Sequence, residues 1–199
     1  GEAATLSFFS QGQYLNPMVI RIAGLAYQRG FGGHFHNDNS LTIFRDIPGL
    51  ILACPSNGSD AVKMLRTATK EAHGKGRIVI FIEPIALYMV KDLHNPKDNK
   101  WSSKYPAMDE ELKIGEFITH GKGKALTIIS YGNGLYHALK AQPEIEKKIN
   151  RKIKIIDICW LSDINVDGLL KEIGQCKKVL IVDECRRSGC HGEGLMASL

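Results

Sequence analysis

The densest chemistry in this chain lies in one short stretch, Gly30-Phe31-Gly32-Gly33-His34-Phe35-His36-Asn37-Asp38-Asn39-Ser40. Its glycines permit positive φ and close approach of the backbone to a ligand. Its two histidines, His34 and His36, are the side chains best suited to moving protons near neutral pH. Asn37, Asp38, Asn39 and Ser40 add donors and acceptors. A loop of this composition between a strand and a helix is where α/β proteins place chemistry.

Other chemistry-bearing residues are read more plainly. Asp183-Glu184 ends an apolar run and could form an acidic site at a strand end, but a brace paired with Arg186 or Arg187 is the preferred reading. Glu83 is expected to accept from loop amides. His73, His94, His120 and His137 fall in linkers or at helix ends and are taken as structural. Cys185, Cys190 and His191 lack the paired spacing of known zinc sites, so no metal site is assigned. Five cysteines, an odd number, form no disulfide framework and suit reduced thiols in a cytosol-like compartment.

The elements that must position the loop follow from apolar runs. Residues 1–6 read as helix. Residues 18–22, 50–54 and 77–82 are continuous apolar strands of the fully buried kind. A helix follows the second strand, with Ser59 or Asp60 as its cap and Ala61, Met64, Leu65 and Ala68 on its inner face. Residues 41–45 form a short helix. Residues 90–108 are polar and aperiodic, and the domain boundary is placed there. Beyond it, strands at 126–131, 152–157 and 179–182 alternate with helices; Gly132-Asn133-Gly134 turns into the first of these. Gly174 closes a helix carrying Val166, Leu169, Leu170 and Ile173. Continuous apolar strands alternating with helices predict parallel sheets covered on both faces, hence two three-layer α/β/α units. The units are set at residues 1–90 and 117–199, joined by a linker at 91–116.

With 199 residues, 44% hydrophobic and 24% charged, the composition is that of a globular protein. The formal net charge is +5, and lysine and arginine are spread along the chain, which argues against nucleic-acid binding. No apolar run reaches membrane-spanning length. The ends, Gly1-Glu2-Ala3 and Met196-Ala197-Ser198-Leu199, both fall within helix-like pattern, and the chain is read as a piece of a longer protein.

In order and spacing, residues 16–22, Gly32-Gly33, His36, Pro48-Gly49-Leu50, Pro55-Ser56, Asp60-Ala61 and Glu83-Pro84 resemble the beta-type subunit of thiamine-diphosphate-dependent 2-oxo acid dehydrogenases. Ser130-Tyr131-Gly132, Ile155-Ile156-Asp157, Val182-Asp183-Glu184 and Ser188-Gly189 resemble the transketolase C-terminal domain of the same subunits. The resemblance implies the C-terminal part of a pyrimidine-binding domain followed by that second domain. It implies thiamine diphosphate as cofactor, with the diphosphate and Mg²⁺ held by an alpha-type subunit or domain, and a possible K⁺. It implies a homodimer or heterotetramer, acyl transfer to the lipoyl arm of an acyltransferase core, and a place in the cytoplasm or mitochondrial matrix.

By the same resemblance His36 matches the histidine facing the reacting centre, with Gly33, His34, Phe35 and Asn37 beside it. The family usually continues His-Ser-Gln, whereas this chain has His36-Asn37-Asp38. The family's catalytic glutamate corresponds to a position before Gly1, so this piece alone is expected to be inactive. Departures at Cys159-Trp160-Leu161-Ser162-Asp163 and Gly189-Cys190 carry no transferred role. The rival readings are another transketolase-superfamily enzyme, a non-catalytic module that docks the acyltransferase, and a flavodoxin-like nucleotide binder.

Overall fold

The computed structural model describes residues 1–25 and 39–199. Chain order is helix α1 (Glu2–Phe9), strand β1 (Met18–Gly24), α2 (Thr42–Arg45), β2 (Leu50–Ala53), α3 (Gly58–Lys75), β3 (Ile78–Pro84) and a 3₁₀ turn (Ile85–Leu87). After an irregular stretch come β4 (Ile118–His120), β5 (Thr127–Ser130), α4 (Gly132–Ile149), β6 (Lys154–Asp157), α5 (Val166–Ile173), β7 (Val179–Ile181) and α6 (His191–Ser198).

Two sheets form among the described residues. The first has the order β1-β3-β2 and is parallel throughout. The second has the order β4-β6-β5-β7, parallel except for the antiparallel β4–β6 pair. The α/β class with largely parallel sheets is thus the observed one. All four residues of β2 and of β5 are buried, as continuous β-branched and aliphatic runs require.

Three local expectations are corrected. The strand at 18–22 is not buried: Ile20 and Arg21 are exposed, because β1 pairs on one side only among the described residues. The cap of α3 is Asn57, neither Ser59 nor Asp60. Asn57 is extended (φ −138°), and its side chain accepts from the Asp60 amide. Gly132-Asn133-Gly134 is the first turn of α4 itself. The antiparallel β4 was not anticipated at all; three residues are too few to show a period.

The two halves are tied by backbone pairing. Residues 159–161 lie antiparallel along β2: the Cys54 amide donates to the Cys159 carbonyl (2.8 Å) and the Leu161 amide to the Leu52 carbonyl (2.7 Å). Trp160, fully buried, thereby enters the core under α3, against Ile51, Ala53, Met64, Val79 and Phe81. Leu112 and Ile114 of the 91–116 stretch pack into the same cluster. A second cluster joins Leu52, Ile80 and Ile82 of the first half to Ile129, Ile156 and Leu195 of the second.

Candidate active site at the seam between the sheets

Parallel sheets bind ligands at the carboxyl ends of their strands. Here the carboxyl ends of both sheets meet. The Gly132 amide, just past β5, donates to Ser56 Oγ just past β2 (2.8 Å, buried). Gly132 has φ +52°, and a Cβ there would stand 2.8 Å from Leu25 Cδ1 and 3.3 Å from both Cys54 Sγ and Pro84 Cγ. Only glycine fits this crossing without displacement.

The sequence-predicted site residues Gly33, His34, Phe35, His36 and Asn37 lie outside the described residues. What the structure places is both ends of the segment that holds them. Leu25, at the exit of β1, is fully buried yet has φ +50°. For a leucine that conformation costs about 1–2 kcal/mol, so packing must hold it. Its carbonyl accepts from Asn133 Nδ2 (2.8 Å). The same nitrogen donates to Glu184 Oε2 (2.6 Å). Glu184 in turn receives the far end: Asn39 Nδ2 donates to its carbonyl (3.0 Å) and approaches its Oε1 (3.4 Å). The chain before residue 26 and the chain after residue 38 thus converge on one carboxamide–carboxylate pair.

Further bonds run along the loop between β7 and α6. Thr42 Oγ1 donates to the Gly189 carbonyl (2.6 Å), Arg186 donates to Ser40 Oγ, and Cys185 Sγ lies 3.3 Å from the Asn39 carbonyl. Asp183 accepts from the Tyr131 hydroxyl (2.5 Å) and the Gly192 amide (2.7 Å). The expected pairing of Asp183-Glu184 with Arg186 or Arg187 is therefore corrected. Both carboxylates point back into the seam, toward amide and hydroxyl donors, while Arg186 reaches across to residue 40.

The electrostatics follow from burial. Burial pushes the Glu184 carboxyl above its ordinary value, against the opposing bonds from Asn133 and Asn39. Asp157, wholly buried at the end of β6, is pushed up to about 7, burial again leading. The Tyr131 hydroxyl is pushed well above the phenol range by burial and by Asp183. His191 is 1% exposed, meets the Tyr131 ring edge to face at 5.9 Å, and among the described residues has no hydrogen-bond partner on either ring nitrogen. Burial, with the Arg45 charge adding and Asp183 opposing, lowers it to about 4. Among the described residues, no group of three or more His, Cys, Asp or Glu could hold a metal ion.

A cavity of about 540 Å³ opens beside the seam, between α3, the end of β3 and the 91–103 stretch, lined by Phe81, Leu65, Leu87, Trp101, Ser103 and Glu83 among others. The Glu83 carboxylate there does not accept from loop amides as expected. It is paired with the Arg21 guanidinium and accepts from the Tyr88 hydroxyl (2.6 Å). Burial pushes Glu83 upward, but those two bonds and the Arg21 charge outweigh it and hold the carboxyl below its ordinary range. Sequence reasoning missed Arg21 and Tyr88. The available signal was a lone arginine inside an apolar strand, which needs a partner on the neighbouring strand.

Comparison with known proteins accounts for the seam's far wall. Residues 115–199 match the family described as "Transketolase, C-terminal domain". The whole chain is also similar to the pyruvate dehydrogenase E1 component subunit beta of Staphylococcus epidermidis, 26% identical over all of this chain and 56% of the relative. The chloroplastic subunit beta-2 of Arabidopsis thaliana is 27% identical over 98% of this chain and 43% of its own length. The chain therefore spans about half the length of these curated relatives. Among solved structures, a split-gene transketolase in an inactive beta4 tetramer shares the fold, with a TM-score of 0.68 and 19% identity over 99% of this chain and 59% of that one.

Asn133 and Glu184 both lie in the part that matches the transketolase C-terminal domain, whereas Leu25 and Asn39 come from the half before it. Neither was a sequence-predicted site residue. Glu184 was considered as a possible acid and Asn133 only as part of a turn; their joint use of one Nδ2 needed the folded chain to be seen. No described helix is long and apolar enough to cross a membrane.

Proposed function

We propose that this chain is part of the thiamine-diphosphate-dependent component of a 2-oxo acid dehydrogenase, in the role of the beta-type subunit. The similarity to pyruvate dehydrogenase beta subunits along the whole chain supports this reading. The single structural observation that carries it is the convergence of Leu25 and Asn39 on Asn133 and Glu184 at the strand ends. Leu25 and Asn39, the described residues on either side of positions 26–38, thus lie at strand ends, where parallel sheets bind ligands.

The described residues do not fit the cofactor's Mg²⁺, for want of a clustered donor set. The proposal leaves the diphosphate and its metal with an alpha-type partner or domain, and derives no step through them. Thiamine diphosphate, when bound, supplies the carbanion chemistry of decarboxylation. This chain's share is protonic and positional. The His36 imidazole holds the proton needed as the acyl group passes to a lipoyl sulfur, Gly33 lets the backbone come close, and His34, Phe35 and Asn37 flank the imidazole. The wider assembly in this reading is a homodimer or heterotetramer that meets a lipoyl acyltransferase core in the cytoplasm or mitochondrial matrix.

His36→Ala, made in the full-length protein assembled with its alpha-type partner, tests the reading. The expected result is loss of acyl transfer to lipoamide, by about 10²-fold or more, with assembly intact. Unchanged turnover would reject the catalytic role and leave the chain as an assembly module.

A further inference from the structure

We infer that Asn133 and Glu184 are positioning residues: together they form a clamp that fixes the distance and direction between Leu25 and Asn39. This rests on the function proposed above only for its catalytic consequence; the clamp itself stands on geometry. Three separate observations meet there. Asn133, 3% exposed, uses one nitrogen for both the Leu25 carbonyl and Glu184 Oε2. Leu25 is held in a left-handed conformation that a free leucine avoids, so its surroundings dictate it. Gly132, next to Asn133, has no room for a side chain because Leu25, Cys54 and Pro84 close over it.

The chemistry of the pair suits placement more than charge transfer. A carboxamide donating to a carbonyl and a carboxylate is directional, and burial of Asn133 strengthens both bonds. Glu184 serves both ends, since its backbone carbonyl and Oε1 face Asn39 while Oε2 faces Asn133. Losing the Asn133 side chain removes the donor to the Leu25 carbonyl, and losing the Asn39 side chain removes the donor to the Glu184 carbonyl, while the pairing of β1 with β3 is untouched.

Asn133→Ser and Asn39→Ala, each in the full-length protein assembled with its partner, test the clamp by two readouts. The first is hydrogen exchange of peptides spanning residues 25–41, compared with peptides from β5 and β6. The second is the split between kcat and KM for the 2-oxo acid. The clamp predicts at least tenfold faster exchange at 25–41 with β5 and β6 unchanged, a tenfold or greater fall in kcat, and little change in KM. Glu184→Gln, which keeps an acceptor for Asn133, should restore most of both relative to Glu184→Ala. If Asn133→Ser disturbs folding, Asn39→Ala reads the same clamp from its other end. Unchanged exchange in the variant that folds overturns the inference. Faster exchange with unchanged turnover upholds the clamp and rejects the His36 reading.

Discussion

The two halves of this chain meet at two joints built on opposite principles. At one, residues 159–161 pair by backbone with β2, and Trp160 is buried among aliphatic side chains under α3. At the other, Leu25, Asn133, Glu184 and Asn39 are linked by side-chain hydrogen bonds at the strand ends. The apolar joint removes a large ring from water, which is worth several kcal/mol but fixes direction weakly. The polar joint contributes little net stability, about 1 kcal/mol per bond, but each bond is directional. Stability and placement are thus assigned to different contacts.

This division can be broken from either side. Trp160→Ala should cost the most, about 3–5 kcal/mol, seen as a lower midpoint in denaturant melts. If the joints are separate in kind, that variant should leave exchange at residues 25–41 close to the wild type at low denaturant.

Next come two buried titrating groups with opposite pH signatures. Asp157 binds its proton more tightly folded than unfolded, so it costs stability progressively as pH rises from about 4 to about 7. At about 1.4 kcal/mol per unit this amounts to a few kcal/mol, and Asp157→Asn should flatten that decline in Tm. His191 behaves conversely. Its folded pKa near 4 lies below the ordinary value of 6.5, so stability is lost as pH falls from about 6.5 to about 4. His191→Leu should remove that acid sensitivity and leave Tm at pH 8 nearly unchanged.

Gly132→Ala is a sharper probe of the polar joint, since it forces a Cβ against Leu25 at an unfavourable φ. The expected cost is about 1–3 kcal/mol, with faster exchange confined to the seam. Arg21→Ala should do least. Its guanidinium is 62% exposed beside Glu83, so solvent screens the pair and the shift in a thermal melt should be close to undetectable.

Much of the fold was legible because long apolar runs leave few choices. The strands read at 50–54 and 77–82 are observed as Leu50–Ala53 and Ile78–Pro84, and Met64 and Ala68 are buried on α3 as read, while Ala61 and Leu65 are only half-buried. What escaped was whatever depends on a distant partner. Periodicity cannot reveal that β1 is an edge, nor that residues 159–161 leave β6 to line up with β2, a turn made at Cys159 with φ +48°. The same holds for Glu83 and Glu184. Glu83 lies near the end of β3 and Glu184 just beyond β7, yet one is held below and the other above the ordinary carboxyl range. Glu83 faces a guanidinium 62 residues back in sequence, whereas Glu184 faces amides, from Asn133 and Asn39, whose bonds do not offset its burial. The His36 reading rests on resemblance and lies outside the described residues, whereas the bonds of Leu25 and Asn39 to Asn133 and Glu184 are seen only in the geometry.

The insertion of Trp160 beneath α3 has a consequence for biosynthesis. The first sheet and its covering helix leave the ribosome well before residue 160 does, so they emerge lacking the ring that completes their interior. Until then the pocket under α3 is open to solvent or to chaperones. A nascent chain stalled near residue 140 should accordingly be far more protease-sensitive in its first hundred residues than one stalled beyond the end of α6.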